Sequence, residues 1–130
     1  NQNTFLGLQK ELSLFEEKYR KYVADHPGVF RARLGLADVL IYQRLFGVDK
    51  LKDAQAVLDE AITLVPQSPQ PYWMKAVGYV YMKKFPEARA AAQKGLELNP
   101  SIEESQNVVK YVDRSAKTFP DISLYFFRQI

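Results

Sequence analysis

Cysteine is absent from this chain of 130 residues, and His26 is its single histidine. The lack of cysteine excludes disulfides, thiolate metal sites and cysteine nucleophiles, and one histidine cannot supply a multi-histidine metal site. No apolar run approaches the ~18 residues that cross a bilayer, and the most apolar stretch, Leu34 to Tyr42, is interrupted by Asp38. The first residues have neither the basic region nor the apolar region of a signal peptide. Because the first residue is Asn1 rather than Met, we expect an excised domain or a processed chain.

The remaining composition is that of an ordinary globular domain. Hydrophobic residues make up 47% and charged residues 25%, and the net charge is +3. Such a chain can bury a hydrophobic core without disulfides or a structural metal ion. Its mild excess of basic residues does not by itself indicate a nucleic-acid partner. We therefore expect a soluble domain that is either cytoplasmic or an extramembrane region of a larger protein.

An internal repeat of 34 residues organises the chain. Pro66 and Pro100 end two similar segments, 58–66 and 93–100, and are 34 positions apart. The dipeptide Phe85-Pro86 occurs again 34 positions later, as Phe119-Pro120. Two independent anchors with one period indicate a repeat architecture. The segment from Pro27 to Pro66 is five residues longer than the period, and we place the surplus in the turn around 44–49.

The pattern between these anchors is helical throughout. Apolar residues recur at spacings of three and four, and no segment alternates as a half-buried strand does. Asp49, Ser68 and a capping box from Ser101 to Glu104 supply start signals. The predicted helices span 4–24, 29–45, 50–64, 69–83, 86–98, 102–117 and a short 120–128.

These features resemble the tetratricopeptide repeat, a helix–turn–helix unit of 34 residues. Its positions for large, small and aromatic residues and its closing proline are filled in the segment 67–100 by Tyr72, Trp73, Ala76, Tyr79, Phe85, Ala88, Gly95 and Pro100. In the segment 28–66 they are filled by Leu36, Ala37, Leu40, Leu51, Ala54, Ala61 and Pro66. The chain departs from the pattern at Lys75, where a leucine is usual, and at Lys83, where the glycine between the helices is usual.

The resemblance implies an all-α, right-handed superhelix of stacked antiparallel hairpins with six to seven helices. We expect one domain over 1–130. Its parts are an N-terminal helix in 1–27 that resembles the second helix of an earlier repeat, a repeat with a lengthened turn in 28–66, the best-matching repeat in 67–100 and an irregular capping repeat in 101–130. Small residues such as Ala88 let helices approach closely, and the aromatic segment 124–127 suits a capping role.

The resemblance also implies a function, because the family binds peptides on the concave face lined by the first helices. We therefore expect a non-catalytic scaffold that binds a protein or peptide segment and needs no cofactor. The groove positions transferred from the family are Arg31, Leu34, Asp38, Ile41, Tyr42, Gln70, Trp73, Val77, Val80, Tyr81, Glu104, Asn107, Tyr111, Arg114 and Ser115. Large aromatic rings are typical binding anchors, and arginine can hold a carboxylate with two hydrogen bonds.

One subclass of the family clamps the carboxylate tail of chaperones. Leu34 and Asp38 stand where that clamp needs its first lysine and asparagine, and an acidic residue there repels a carboxylate. The sequence therefore predicts that this chain is not such a clamp.

Core packing is the competing interpretation of the aromatic residues in these helices. It is the interpretation that we favour for Tyr72, Tyr79 and Phe85.

Catalysis has little support in the sequence. The adjacent acidic pairs, such as Glu16-Glu17, point about 100° apart on a helix and do not face each other as an acid and base would. We expect them on solvated faces, with Glu16 and Arg20 as an i,i+4 ion pair. His26 precedes Pro27 in a turn, where a capping or exposed role is expected.

Two further classes of function stay open, nucleic-acid binding and a structural role in a larger protein. Lys18 to Tyr22 interleaves basic and aromatic residues, and helical-hairpin repeats can read RNA, but a nucleic-acid partner is disfavoured because three irregular units lack a repeated code. The chain also resembles the repeat-containing tails of larger bacterial membrane or cell-envelope polysaccharide proteins, where such a module is structural.

Overall fold

The computed structural model describes residues 2–117 of the chain. This range forms six α-helices and one short 3₁₀ helix, Gln43–Phe46, and contains no strand. The α-helices are α1 (Gln2–Asp25), α2 (Phe30–Tyr42), α3 (Leu51–Leu64), α4 (Gln70–Tyr81), α5 (Phe85–Leu98) and α6 (Glu103–Lys117). The expected helix 120–128 and the aromatic segment 124–127 lie outside the described residues.

The chain divides into two compact units, and the boundary falls between Pro66 and Gln67. In the first unit, α2 packs against α1 on one side and α3 on the other. In the second, α4 packs against α5, and α6 packs against both. The boundary lies at the same residue as the predicted boundary between repeats, while the grouping of 1–130 into a single domain stays a prediction.

The core of the first unit is built around α2. This helix is buried on most of its surface because α1 and α3 cover two of its sides, and a helix enclosed in this way loses the usual polar face. Leu40 of α2 and Leu58 of α3 are both fully buried. The α3 helix buries one apolar face, as its spacing of three and four predicts. Its buried residues are Leu51, Ala54, Val57, Leu58 and Ala61.

The five surplus residues before α3 are accommodated by a change of helix type. The predicted helix 29–45 ends as an α-helix at Tyr42 and continues as the 3₁₀ helix Gln43–Phe46. Gly47 then adopts a left-handed backbone with φ of 83°, which glycine tolerates without strain. The Leu51 N–H donates a hydrogen bond of 3.2 Å to Asp49 Oδ1, so Asp49 satisfies one free amide at the start of α3.

Small residues bring the helices of the second unit together. Ala88 and Ala92 of α5 are fully buried. A Cβ atom added to Gly95 would lie 2.5 Å from the Ser105 Oγ of α6, which is far inside the normal contact distance. The expectation that small residues permit close approach of the helices is met at this α5–α6 contact.

The predicted capping box at the start of α6 is wrong. The Ser101 hydroxyl donates 3.0 Å to Asn99 Oδ1, and the Ser101 N–H donates 3.2 Å to the same oxygen. Asparagine two residues earlier forms this local turn readily, so the serine side chain is already engaged. The α6 helix consequently begins at Glu103.

The turn between α4 and α5 contains a residue in an unfavourable conformation. Lys83 has φ of 60°, in the left-handed region that costs an L-residue roughly 1–2 kcal/mol. The turn is held by hydrogen bonds of 2.9 Å from the Lys83 N–H to Val80 O and from the Lys84 N–H to Tyr79 O. This is the position at which the repeat pattern has glycine.

Replacement of Lys83 by glycine is expected to raise the free energy of unfolding by about 0.5–1 kcal/mol, because relief of the backbone strain exceeds the entropy that glycine adds to the unfolded chain. Urea unfolding followed by circular dichroism measures the change. Lys84→Gly is the matched control, since Lys84 has φ of −98° and gains nothing from glycine. Equal effects of the two substitutions would contradict the assignment of strain to Lys83.

A buried ionic cluster connects α1 to the segment between α2 and α3. The Glu16 side chain accepts hydrogen bonds from Lys50 Nζ at 2.7 Å, Gln43 Nε2 at 2.9 Å and Arg20 Nε at 2.7 Å. The expected Glu16–Arg20 pair is therefore present, but the expected solvated position of Glu16 is wrong because this residue is 7% exposed. Arg20 also reaches Asp53 at 3.4 Å.

Candidate functional site

The exposed face of α2 is the part of the predicted groove that is most accessible in the first unit. Arg31, Asp38 and Tyr42 are exposed, and their spacing of seven and four places them on one side of the helix. Tyr42 is 54% exposed at the last turn. An aromatic ring, a carboxylate and a guanidinium thus form one exposed row, which we call the α2 row.

Asp38 occupies the middle of the α2 row and makes no ion pair within residues 2–117. Partial desolvation by its surroundings raises the pKa of its carboxyl group. An acidic side chain without a cation nearby gains from a donor that a partner supplies. Asp38 is therefore the residue of the α2 row that most favours a positively charged or hydrogen-bond-donating group of a partner.

Two other groove positions of α2 lie in the packing. Leu34 is 6% exposed and Ile41 is 9% exposed. Both side chains flank the α2 row on the side that turns toward the core. They support the helix from which the row projects, and they offer little surface of their own.

The groove positions of α4 are more enclosed. Trp73 is half-buried, while Val77 is 8%, Tyr81 9% and Val80 0% exposed. Because α4 packs against both α5 and α6, most of this helix is covered. Trp73 is the predicted aromatic anchor of α4 that retains accessible area, and Gln70 at the first turn is exposed.

The groove positions of α6 are divided in the same way. Tyr111 is 3% exposed, and its ring lies 6.3 Å from the ring of Phe85, centroid to centroid. Asn107 is half-buried and Arg114 is exposed. Of the two remaining positions, Glu104 is half-buried and Ser115 is buried. Arg114 is thus the exposed groove position of this helix, while Asn107 and Glu104 keep part of their surface.

The basic segment Lys18 to Tyr22 is largely occupied by contacts within its own unit. Arg20 pairs with Glu16 and Asp53, and Lys21 Nζ lies 2.8 Å from Asp25 Oδ2. The Tyr19 ring lies against the backbone of α2. Cations neutralised in this way are weak ligands for phosphate.

The second unit also contains a surface cleft that the sequence did not indicate. Its volume is about 340 Å³. It is lined by Tyr72, Lys75, Tyr79, Glu87, Ala90, Ala91 and Lys94. Tyr72 and Tyr79 are half-buried rather than enclosed. The signal that points to this cleft is Lys75, which stands where the repeat pattern has leucine and lies 5.8 Å from the centre of the Tyr79 ring.

Residues 2–117 contain no cluster of three or more histidine, cysteine, aspartate or glutamate side chains with the geometry of a metal site. No helix in this range is both long enough and apolar enough to span a bilayer.

Comparison with solved structures identifies the fold. The chain superposes on the structure described as the first TPR of Spaghetti (RPAP3) bound to an HSP90 peptide, SRMEEVD, with a TM-score of 0.68 and 18% sequence identity. The alignment covers 91% of this chain and 97% of that one. No protein-family model matches the sequence, and no curated protein matches it. The chain therefore has an all-α tetratricopeptide-repeat-like fold, as its 34-residue period predicts.

Proposed function

We propose that this protein is a non-catalytic interaction module that binds a peptide or partner segment on the face presented by the first helices of its hairpins, the concave face in the family it resembles. The observation that carries the proposal is the α2 row, in which Arg31, Asp38 and Tyr42 are exposed on one side of a helix whose other sides are buried. The second unit offers residues of the same kind at its own groove positions, namely Trp73, Asn107 and Arg114.

The chemistry of the α2 row suits a polar segment with one apolar or aromatic residue. Tyr42 offers a rigid ring with little rotational entropy to lose on binding. Arg31 can hold a carboxylate or a backbone carbonyl, while Asp38 favours a lysine, an arginine or a backbone N–H. The row therefore selects a segment that carries both a donor and an acceptor, about 10 Å apart at the helical rise of 1.5 Å per residue over the seven residues that separate Arg31 from Asp38.

The same row disfavours a strongly acidic tail. The peptide in the RPAP3 structure, SRMEEVD, has three acidic side chains as well as a terminal carboxylate. In this chain, Asp38 would stand close to that negative charge, and Leu34 supplies no cation because it is apolar and buried. We expect no measurable binding of SRMEEVD in a fluorescence anisotropy titration.

A phage-displayed library of random peptides tests the proposal on the whole chain. We expect enrichment of a shared motif that contains a basic residue, and a loss of at least about tenfold in affinity for its best peptide in Tyr42→Ala, as is typical of an aromatic anchor. Leu64→Ala is the matched control, since Leu64 is an exposed apolar residue of α3. Arg31→Glu and its control Lys52→Glu test the polar contact in the same way.

Two results would contradict this function. One is the absence of any enriched motif, which would favour the structural module of a larger protein. The other is an enriched peptide whose affinity is unchanged in Tyr42→Ala and in Trp73→Ala, because such a peptide binds elsewhere on the chain.

A further inference from the structure

The α1 helix carries an apolar stripe whose side chains stay exposed within residues 2–117, although the His26 ring stacks on the Tyr22 ring at a centroid distance of 4.3 Å. Leu8, Phe15 and Tyr22 are spaced by seven residues, which places them on one side of the helix. They are 39%, 49% and 46% exposed. The neighbouring face of α1 is the one that packs on the first unit, through Gln9, Glu16 and the Tyr19 ring. We call Leu8, Phe15 and Tyr22 the α1 stripe.

The register of the repeat shows that these positions are normally covered. Counted back from the closing prolines Pro27, Pro66 and Pro100, two residues of the stripe correspond to buried residues of α3 and α5. Phe15 corresponds to Ala54 and Ala88, and Tyr22 corresponds to Ala61 and Gly95, all of which are buried. In the two hairpins these positions are covered by neighbouring helices, as Gly95 is by Ser105 of α6, whereas Phe15 and Tyr22 stay exposed within residues 2–117.

The size of the stripe residues indicates how far away a covering helix would lie. Alanine and glycine permit the close approach of neighbouring helices, but phenylalanine and tyrosine at the same positions hold a neighbour at the upper end of the usual interaxial range of roughly 8–10 Å. A helix that packs on the stripe therefore lies at a spacing typical of coiled coils. The seven-residue spacing of the stripe matches one of the two apolar positions of a coiled-coil heptad.

The charged residues beside the stripe can pair with the same residues of a second copy of α1. Glu11 precedes Phe15 by four residues and Lys18 follows it by three, so both lie along the open edge of the stripe. Both are exposed, and neither makes an ion pair within the described residues. In an antiparallel pair of α1 helices centred on Phe15, Lys18 of one helix and Glu11 of the other differ in height by one residue, or about 1.5 Å. Two ion pairs therefore form by symmetry.

We propose that the α1 stripe is the interface of a symmetric, antiparallel dimer of this chain. Phe15 lies on the two-fold axis and contacts the same residue of the second copy. Leu8 contacts the partner's Tyr22, and Glu11 pairs with the partner's Lys18. A self-complementary surface of this kind is what a two-fold interface requires.

Cysteine cross-linking tests the predicted register, and the chain has no native cysteine to interfere. We expect Phe15→Cys to form a disulfide-linked dimer under mild oxidation. Leu8→Cys alone should not, because the two copies of this residue lie fourteen residues apart along the axis, about 21 Å. The double variant Leu8→Cys/Tyr22→Cys should form the cross-link again. Efficient cross-linking of Leu8→Cys alone, or none of Phe15→Cys, would overturn the antiparallel arrangement.

Charge reversal tests the proposed ion pairs without altering the apolar residues of the α1 stripe. Sedimentation equilibrium of the full chain should show a dimer that Glu11→Lys weakens about tenfold, since two exposed pairs each change from attraction to repulsion. Glu11→Lys/Lys18→Glu should restore the affinity of the native chain. Glu17→Lys is the control for the added charge, because Glu17 lies on the other side of α1. A chain that is monomeric at every concentration overturns the proposal and indicates a different occupant of the stripe.

Discussion

Replacement of Glu16 by glutamine is expected to lower the free energy of unfolding by about 2–3 kcal/mol at pH 7, somewhat less than the roughly 3–5 kcal/mol that the loss of one partner in a buried ion pair usually costs. Glu16 accepts hydrogen bonds from three side chains, Lys50, Gln43 and Arg20, which belong to different parts of the first unit. Glutamine keeps the size of the residue but removes the charge that holds Lys50. Because Arg20 and Lys50 are partly exposed, solvent reduces the loss below that of a fully enclosed pair.

The contribution of Glu16 depends on pH in a defined direction. Burial alone would raise the pKa of Glu16, but the hydrogen bonds from Lys50, Gln43 and Arg20 outweigh it and lower the pKa from 4.5 to about 2. Since the pKa in the folded state lies below that of the unfolded chain, the stabilisation is complete above pH 4.5 and disappears as the pH falls toward 2. The difference in stability between the native chain and Glu16→Gln should shrink over the same window.

Urea unfolding at several pH values measures this difference, with circular dichroism as the signal. Glu17→Gln is the control, because Glu17 is exposed on the same helix and its substitution should change stability by less than about 0.5 kcal/mol. A difference between the native chain and Glu16→Gln that stays constant from pH 7 to pH 2 would show that the charge of Glu16 is not what stabilises the cluster.

Replacement of Gly35 by alanine is expected to destabilise the first unit by up to about 2 kcal/mol, because the usual cost of overpacking, roughly 1–3 kcal/mol, exceeds the gain of about 1 kcal/mol in helix propensity. A Cβ atom at Gly35 would lie 2.4 Å from Tyr19 Cε1 and 2.8 Å from Tyr19 Cζ. The Tyr19 ring must therefore move away from α2 to admit a methyl group at this position.

A double-mutant cycle with Tyr19→Leu isolates the contact between the ring and the backbone. Once the ring is gone, Gly35→Ala should become stabilising by about 0.5–1 kcal/mol, because the helix propensity of alanine is then unopposed. Thermal unfolding of the four chains measures the change of sign. An identical effect of Gly35→Ala in both backgrounds would refute the contact as the reason for glycine at this position.

Much of the fold follows from the sequence because its signals are local. The period of 34 residues, the prolines and the apolar spacing predict each described helix to within about three residues, as shown by the predicted 69–83 and the observed Gln70–Tyr81. The surplus residues before α3 are also placed correctly, although the sequence does not reveal that they form a 3₁₀ helix ending at Gly47.

The candidate site is less predictable because burial depends on residues that are distant in sequence. Glu16 resembles any surface carboxylate until Gln43 and Lys50 are brought against it. The same reason applies to the groove, since the resemblance to the repeat family assigns both Tyr42 and Tyr111 to groove positions. The structure leaves Tyr42 54% exposed but packs Tyr111 beside Phe85 at 3% exposure.

The location of the single tryptophan has a practical consequence for spectroscopy. Trp73 lies in α4 and is the chain's one indole, so emission excited at long ultraviolet wavelengths originates from the second unit. Far-ultraviolet dichroism, in contrast, sums the helices of both units. A denaturant titration recorded with the two signals therefore reads the second unit separately from the whole, without a label or an added chromophore.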